Sequence, residues 1–486
     1  MMIKENPGTT ILIAYLTYIL GQLGFVGFNI LIFRQFSLEE VGVYGLIISI
    51  VAFAGFAFDL GITQTLVRGF SQHILSLSQA VAAALVLRLP LLGLALLAFF
   101  IWLHRTPTSG MGEGPALLLA VFSQFLVSFR TIAVSWLKGH NRQNISNFLT
   151  SLHPLGYLAI AVVLICMRKF RLLSLFSGLL VVEILLTALS FLTIRKLEAA
   201  ASVDKSLALT DLRAALSALW KPSLIFFLVS FWAVVQSRLD WLLLYALGSE
   251  TELAYYSLAN KAYEVFESGV MVLINTAFPW LCKMLTAGEK NPRITIGFKG
   301  LAFASSILAV GAALWLPDFL TIFWGNKFAK AHNLIFLLMC GAGLSTLCSL
   351  MYYLLVASHQ EKYFLLTSTV PALSQITANL IFIPKYGSYG AVIGMLVLII
   401  VSFLMLSLIS MKNRLSEYLG LGKNTVLLLV LILAVSVYGE VLKASYINTA
   451  LFLIIFAGVG TLTLFSKQER SMVLEDLQGA LGFLRL

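Results

Sequence analysis

Uninterrupted apolar runs follow one another along nearly the whole chain. A run of about 20 apolar residues, wound as a helix, crosses the ~30 Å hydrocarbon core of a bilayer. Fourteen runs of about that size occur, at about 9–33, 41–67, 79–103, 115–137, 150–167, 172–194, 222–247, 254–282, 297–317, 331–357, 363–383, 388–411, 424–442 and 447–466. The fifth is short and the eighth unusually polar. In lipid every backbone N–H and C=O must be satisfied internally, which leaves helices or a closed barrel. A barrel alternates apolar and polar residues in segments of about ten, whereas these runs are continuous. Only 11% of the 486 residues are charged and 59% are hydrophobic, against roughly 25% charged in soluble domains. The expected fold is an all-α integral membrane protein with 14 transmembrane helices.

Loop charges orient the chain. With the amino terminus in the cytoplasm, the inside segments hold about 20 Lys and Arg and the outside loops about 9. The excess persists along the chain, as the positive-inside rule asks. Both termini are therefore expected in the cytoplasm. The same bias gives the net charge of +11 a topogenic origin, so nucleic acid is not an expected partner. Cys166, Cys282, Cys340 and Cys348 lie in apolar stretches without a C-x-x-C and read as small buried hydrophobes. No H-E-x-x-H or P-loop occurs: "LGLGKN" at 419–424 has its Gly and Lys at the wrong spacing. No metal, cofactor or ATP hydrolysis is expected in this chain, which leaves H+ or Na+ as the coupling ion to consider. The first run is too long for a cleavable signal and lacks a small-residue cleavage site.

The longest connection joins the sixth and seventh runs. Within it Leu209, Leu212, Leu216 and Leu219 recur at helical spacing. This fits an amphipathic helix on the cytoplasmic surface and an ordinary packed connector about equally. The tail "KQERSMVLEDLQGALGFLRL" has a similar pattern. The two halves on either side of the connection contain a repeat. "SLEEVGVYGLI" at 37–47 parallels "SETELAYYSLA" at 249–259, setting Ser37 on Ser249, Glu40 on Glu252, Tyr44 on Tyr256 and Leu46 on Leu258. The expected organisation is an N-terminal six-helix bundle (1–194), a cytoplasmic linker with an amphipathic helix (195–221) and a parallel C-terminal six-helix bundle (222–411). Two extra helices and a cytoplasmic tail follow (412–486). Paired bundles around a central cavity are a transporter arrangement.

Four stretches, in order, carry a family resemblance. "FSLEEVGVYGLIISIVAFAGFAFDLGITQTLVRGF" (36–70) resembles the first loop and second helix of polysaccharide exporters of the MOP flippase superfamily, through Gly42, Tyr44, "DLG" at 59–61 and Arg68. "RLDWLLLYALGSETELAYYSLANKAYE" resembles their seventh and eighth helices, with Asp240 at a common acidic position. "LPDFLTIFWGNKFAKA" (316–331), with Gly325 and Phe328, resembles the connection between their ninth and tenth helices. "ANLIFIPKYGSYGAVIG" (378–394) resembles their N-x-x-(I/L)-x-P-x-x-G-x-x-G-A stretch, through Asn379, Pro384, Gly387, Gly390 and Ala391. The resemblance covers about residues 9–411. It implies a flippase of the bacterial inner membrane that alternates between inward-open and outward-open states. It implies undecaprenyl-pyrophosphate-linked oligosaccharide as substrate, with membrane lipids and the polysaccharide polymerase machinery as partners, and action as a monomer.

Charges inside the spans are the candidate functional residues. A charged residue at the bilayer centre costs about 2.5–3.5 kcal/mol on insertion scales. Nine of them facing lipid would cost more than ~20 kcal/mol, beyond a fold's net stability of about 5–15. Most must line water, pair or snorkel. Arg88, Arg238 and Lys261, with Arg130 nearer the cytoplasmic end, are expected to line the cavity and bind pyrophosphate, which the arginine fork suits. The alternative is a set of structural ion pairs. Arg238 and Asp240 are two apart on one helix and point in nearly opposite directions. Lys261, Glu264 and Glu267 form a stripe in which Lys261 can pair with Glu264, while Glu267 seeks a cation such as Arg238. Asp59, with Arg68, fits a clamp or gate. Glu183 stands alone on the sixth helix, as a proton carrier or in an ion pair. Asp59, Glu183, Asp240, Glu264 and Glu267 are thus the expected coupling or gating residues.

Three functions compete. A membrane enzyme acting on lipid-linked sugars needs an extended outer loop, and the outer loops here are about ten residues or fewer, so no enzyme is expected. A multidrug or small-solute antiporter of the same superfamily would want an acidic cavity for cationic drugs. The arginines favour an anionic headgroup and hence the flippase, while five membrane acids keep the antiporter open.

Overall fold

A computed structural model describes residues 7–71, 76–105, 113–140, 142–201, 212–287, 292–324, 328–358, 363–412 and 446–472, with isolated positions 360, 427 and 430. Every regular element among them is helical. In chain order these are α1 (Pro7–Gln35), α2 (Leu38–Asp59), α3 (Ile62–Ser71), α4 (Leu77–Arg105), α5 (Glu113–Gly139), α6 (Gln143–Cys166) and α7 (Leu172–Ala201). There follow α8 (Leu212–Leu247), α9 (Glu250–Ala287), α10 (Pro292–Trp324), α11 (Ala331–Ala357), α12 (Phe364–Tyr386), α13 (Ser388–Lys412) and α14 (Tyr446–Leu464).

Eleven of the helices are long and apolar enough to cross a membrane. Leu94, Leu185, Ile322 and Leu408 are 61–76% exposed along them, a surface suited to lipid rather than water. The protein is therefore an all-α, multi-pass membrane protein. The remaining three expected spans stand differently. α9 is 38 residues long but charged, the span at 424–442 lies outside the described residues except at 427 and 430, and α14 is apolar over Thr449–Leu464.

The chain divides into two compact units, Met1–Ala254 and Tyr255–Leu486. In the first, α1 packs on α6, α5 on α2, α3, α6 and α7, and α8 on α2, α3 and α4. Its core holds Ile62, Leu66, Phe70, Ile132, Trp136 and Leu149. In the second, α11 packs between α10 and α13, α12 lies along α13, and α14 lies on α10. Leu347, Leu350, Met351 and Leu354 of α11 are fully buried there.

Local chemistry explains the ends. Ser37 caps α2: its Oγ accepts from the Glu40 N–H at 3.2 Å, and the Glu40 carboxylate accepts from the Ser37 N–H at 2.9 Å. This is a capping box. Ser249 accepts likewise from the Glu252 N–H, at 3.3 Å, so the repeated Ser and Glu mark two helix starts. The single span expected over 41–67 is broken. Leu60 and Gly61 both take positive φ, 51° and 69°, which ends α2 and begins α3. Glycine reaches that region at no steric cost, whereas Leu60 costs about 1–2 kcal/mol there. The helical spacing expected to form a separate surface helix is realised, from Leu212 onward, as the first turns of α8; Leu209 lies outside the described residues.

Candidate functional site

Arg88 on α4 is fully buried. Its Nε donates to the Phe58 carbonyl at 2.7 Å and its Nη1 to the Ser128 carbonyl at 2.6 Å. The guanidinium also lies 5.6 Å from the Phe129 ring centroid. The break at Leu60 leaves the last carbonyls of α2 without intrahelical donors, and Arg88 fills one of them. A cation there also suits the negative end of the helix dipole. Asp59 is close enough to act electrostatically on Arg88 and accepts from the Thr63 hydroxyl. The structure thus places Arg88 and Asp59 together at the α2–α3 break. The Arg68 side chain lies outside what is described.

Arg130, on α5, and Glu183, on α7, come together across the bundle. Arg130 Nη2 stands 3.3 Å from Glu183 Oε2, with Glu183 fully buried. That oxygen receives no directed hydrogen bond, so the contact is Coulombic. His153 of α6 joins the pair. Its Nδ1 lies 3.0 Å from Arg130 Nη2 and at hydrogen-bonding distance from Glu183 Oε1. The Tyr157 hydroxyl is within reach of the same carboxylate, and the rings of Tyr157 and His153 are 4.2 Å apart. His153 is one of six histidines in the chain and carries no motif that singles it out. Residues 130, 153 and 183 share no motif, and the one available signal was that a buried glutamate needs a partner.

On α8, Arg238 is half-buried and Asp240 buried. The Arg238 guanidinium stacks 4.9 Å over the Trp241 ring. An Asp240 oxygen accepts from the Trp241 N–H at 2.9 Å. In the second unit, Lys261 and Glu264 pair at 2.7 Å, as their spacing predicts. Glu267 accepts from the Ser345 hydroxyl at 3.0 Å, and Ser345 in turn accepts from Tyr263 at 2.8 Å. Beyond the spans, Ser466 and Glu469 form another capping box, and Glu469 binds Lys299 at 2.9 Å. Partial burial pushes the Glu469 carboxyl up, but the Ser466 N–H and Lys299 outweigh it and hold the group below the usual carboxylate range.

No family model matches the sequence, and no curated protein is similar to it. Solved structures are. The inward closed conformation of the lipid II flippase MurJ matches with a TM-score of 0.69 at 16% identity, over 94% of this chain and 99% of that one. An inward-facing multidrug resistance MATE family transporter of the MOP superfamily matches at 0.59 and 14%, over 86% and 97%. A MOP superfamily transporter from Pyrococcus furiosus matches at 0.54 and 15%, over 84% and 94%. This chain has the MOP-superfamily transporter fold. At these identities the likeness is one of fold. Within that MOP fold, the buried charges sit on α4–α9, and Arg130, His153 and Glu183 bring three helices of the first unit to one point.

Proposed function

We propose that this protein moves undecaprenyl-pyrophosphate-linked oligosaccharide from the cytoplasmic to the periplasmic leaflet of a bacterial inner membrane, for surface polysaccharide assembly. It works by alternating access, with no catalytic step, and both termini lie in the cytoplasm. The polysaccharide polymerase machinery receives the product, and the functional unit is a monomer. A lipid flippase and multidrug transporters both stand among the structural neighbours, so the fold accommodates a lipid cargo.

The observation that carries the reading is Arg238. It sits midway along the span Phe227–Leu247, half-buried and stacked on Trp241. Stacking occupies the guanidinium face, while a phosphate is recognised through the in-plane N–H edge. The two are compatible, and a residue so costly in a membrane suits a functional role. We assign the headgroup contact to Arg238. Arg88, held by two backbone carbonyls, suits a helix clamp. Arg238→Ala is expected to abolish surface polysaccharide export at matched membrane abundance, and Arg238→Lys to recover part of it, because the planar fork is lost. Export by Arg238→Ala at the wild-type rate would overturn the assignment. The membrane acids Glu183, fully buried, and Glu267, half-buried, favour the second reading, an ion-coupled multidrug or small-solute antiporter, which a dye-efflux assay on the same protein separates from the first.

A further inference from the structure

We infer that Glu183, His153 and Arg130 form a proton-binding site in which the bound proton removes the counter-charge that Arg130 faces. The inference depends on transport only for what the proton drives; the site's chemistry is independent of the cargo.

The geometry turns on one atom. His153 Nδ1 has a single in-plane position, which either carries a hydrogen or offers a lone pair. Two groups compete for it: Arg130 Nη2 at 3.0 Å and Glu183 Oε1. A guanidinium only donates and an ionised carboxylate only accepts. With hydrogen on Nδ1, His153 donates to Glu183, and Arg130 is left facing Glu183 Oε2 at 3.3 Å. With Nδ1 bare, Arg130 can donate to it, but the ionised Glu183 would then oppose it lone pair to lone pair. A proton on Glu183 Oε1 removes that conflict by donating to Nδ1, and Arg130 is again left facing Oε2, now of an uncharged carboxyl.

The proton step balances without another reactant. The His153 side chain is 31% exposed and Glu183 is fully buried, so the histidine is the more accessible of the two. One proton from water binds Nε2, and the proton on Nδ1 passes to Glu183 Oε1. His153 ends neutral in its other tautomer, Glu183 ends neutral, and the site has gained one charge. Arg130 then loses its ionised counter-charge and the pairing across α5 and α7 weakens. Protonation thereby loosens one helix–helix tie of the first unit, the kind of local electrostatic event that biases a two-state element.

The groups near this site come from α5, α6, α2 and α1. α5 supplies Arg130, and α6 supplies His153 and Tyr157, whose hydroxyl reaches Glu183. From α2, Tyr44 acts electrostatically on Tyr157. α1 sets the Phe28 ring against Tyr157 and Gly24 against Pro154 and Leu155.

The test is an infrared difference titration of the full-length protein in lipid nanodiscs, without cargo. Its readout is the stretch of a protonated carboxyl as pH is stepped. The wild type is expected to show a titrating carboxylic-acid component that vanishes in Glu183→Gln, and whose midpoint moves by roughly one pH unit in His153→Gln. Glu267→Gln is expected to leave that component in place. Spectra of folded Glu183→Gln that superpose on the wild type would overturn the inference, as would an unmoved midpoint in His153→Gln. If Glu183→Gln does not fold, Glu183→Asp keeps a carboxyl at a changed reach, and an unmoved component there counts equally against the site. Because no cargo is present, a failed titration speaks against the proton site and leaves the flippase reading to its own assay.

Discussion

A buried guanidinium in a membrane protein is tolerable only where its N–H groups find acceptors, and Arg88 finds two carbonyls on different helices. Each such charge-assisted bond contributes about 1.5–3 kcal/mol, less the desolvation cost of the buried cation. Arg88→Met should therefore lower stability by about 2 kcal/mol, seen as a lower thermal unfolding midpoint in detergent. Arg88→Lys should restore only part, since one ammonium lacks the fixed fork that serves both carbonyls. An unchanged midpoint in Arg88→Met would remove its role as a clamp. At this scale the sequence showed which residues were costly and much less of what they touch. Lys261 and Glu264 were legible because both lie on one helix, three residues apart. The acceptors of Arg88 are backbone atoms 30 and 40 residues away, which no side-chain pattern encodes. His153 was missed for a related reason: its partners lie 23 and 30 residues away on two other helices.

Helices were far more legible than contacts, because their apolar length is set by bilayer thickness. The exception is instructive. Hydropathy continues through Leu60 and Gly61, so periodicity alone joined α2 to α3, while the backbone turns there on two positive φ values. The "DLG" that marks the family resemblance is the physical signal for that turn. Gly42, another residue of the resemblance, also has a structural reason. A Cβ at this position would lie 2.2 Å from the carbonyl oxygen of Glu250, at the start of the second copy of the repeat. Backbone cannot yield as a flexible side chain would, so Gly42→Ala should destabilise by about 1–3 kcal/mol through overpacking. Gly93, whose added Cβ would meet nothing within 4 Å, is the control: Gly93→Ala should unfold at the wild-type temperature in the same thermal assay. Equal unfolding temperatures for the two variants would contradict the close approach at Gly42.

For the whole molecule, the class was readable from length and charge alone. An apolar chain with 11% charged residues has only the bilayer as its solvent, and the helical runs then dictate an all-α, multi-pass protein. The transporter fold was readable from the repeat and the ordered family motifs, and the solved MOP-superfamily structures share it. Cargo was not readable in the same way, because a phosphate-binding arginine and a structural arginine look alike in sequence. Arg238 is predicted to serve a lipid pyrophosphate. The direct measurement is translocation by the purified protein in liposomes loaded with a labelled undecaprenyl-pyrophosphate-linked oligosaccharide. A membrane-impermeant reagent reports which leaflet the sugar occupies. Protein-dependent crossing of the label is expected without ATP, and is expected to be lost in Arg238→Ala. Label that stays in its leaflet, while the same liposomes extrude a cationic dye down an imposed proton gradient, would contradict it.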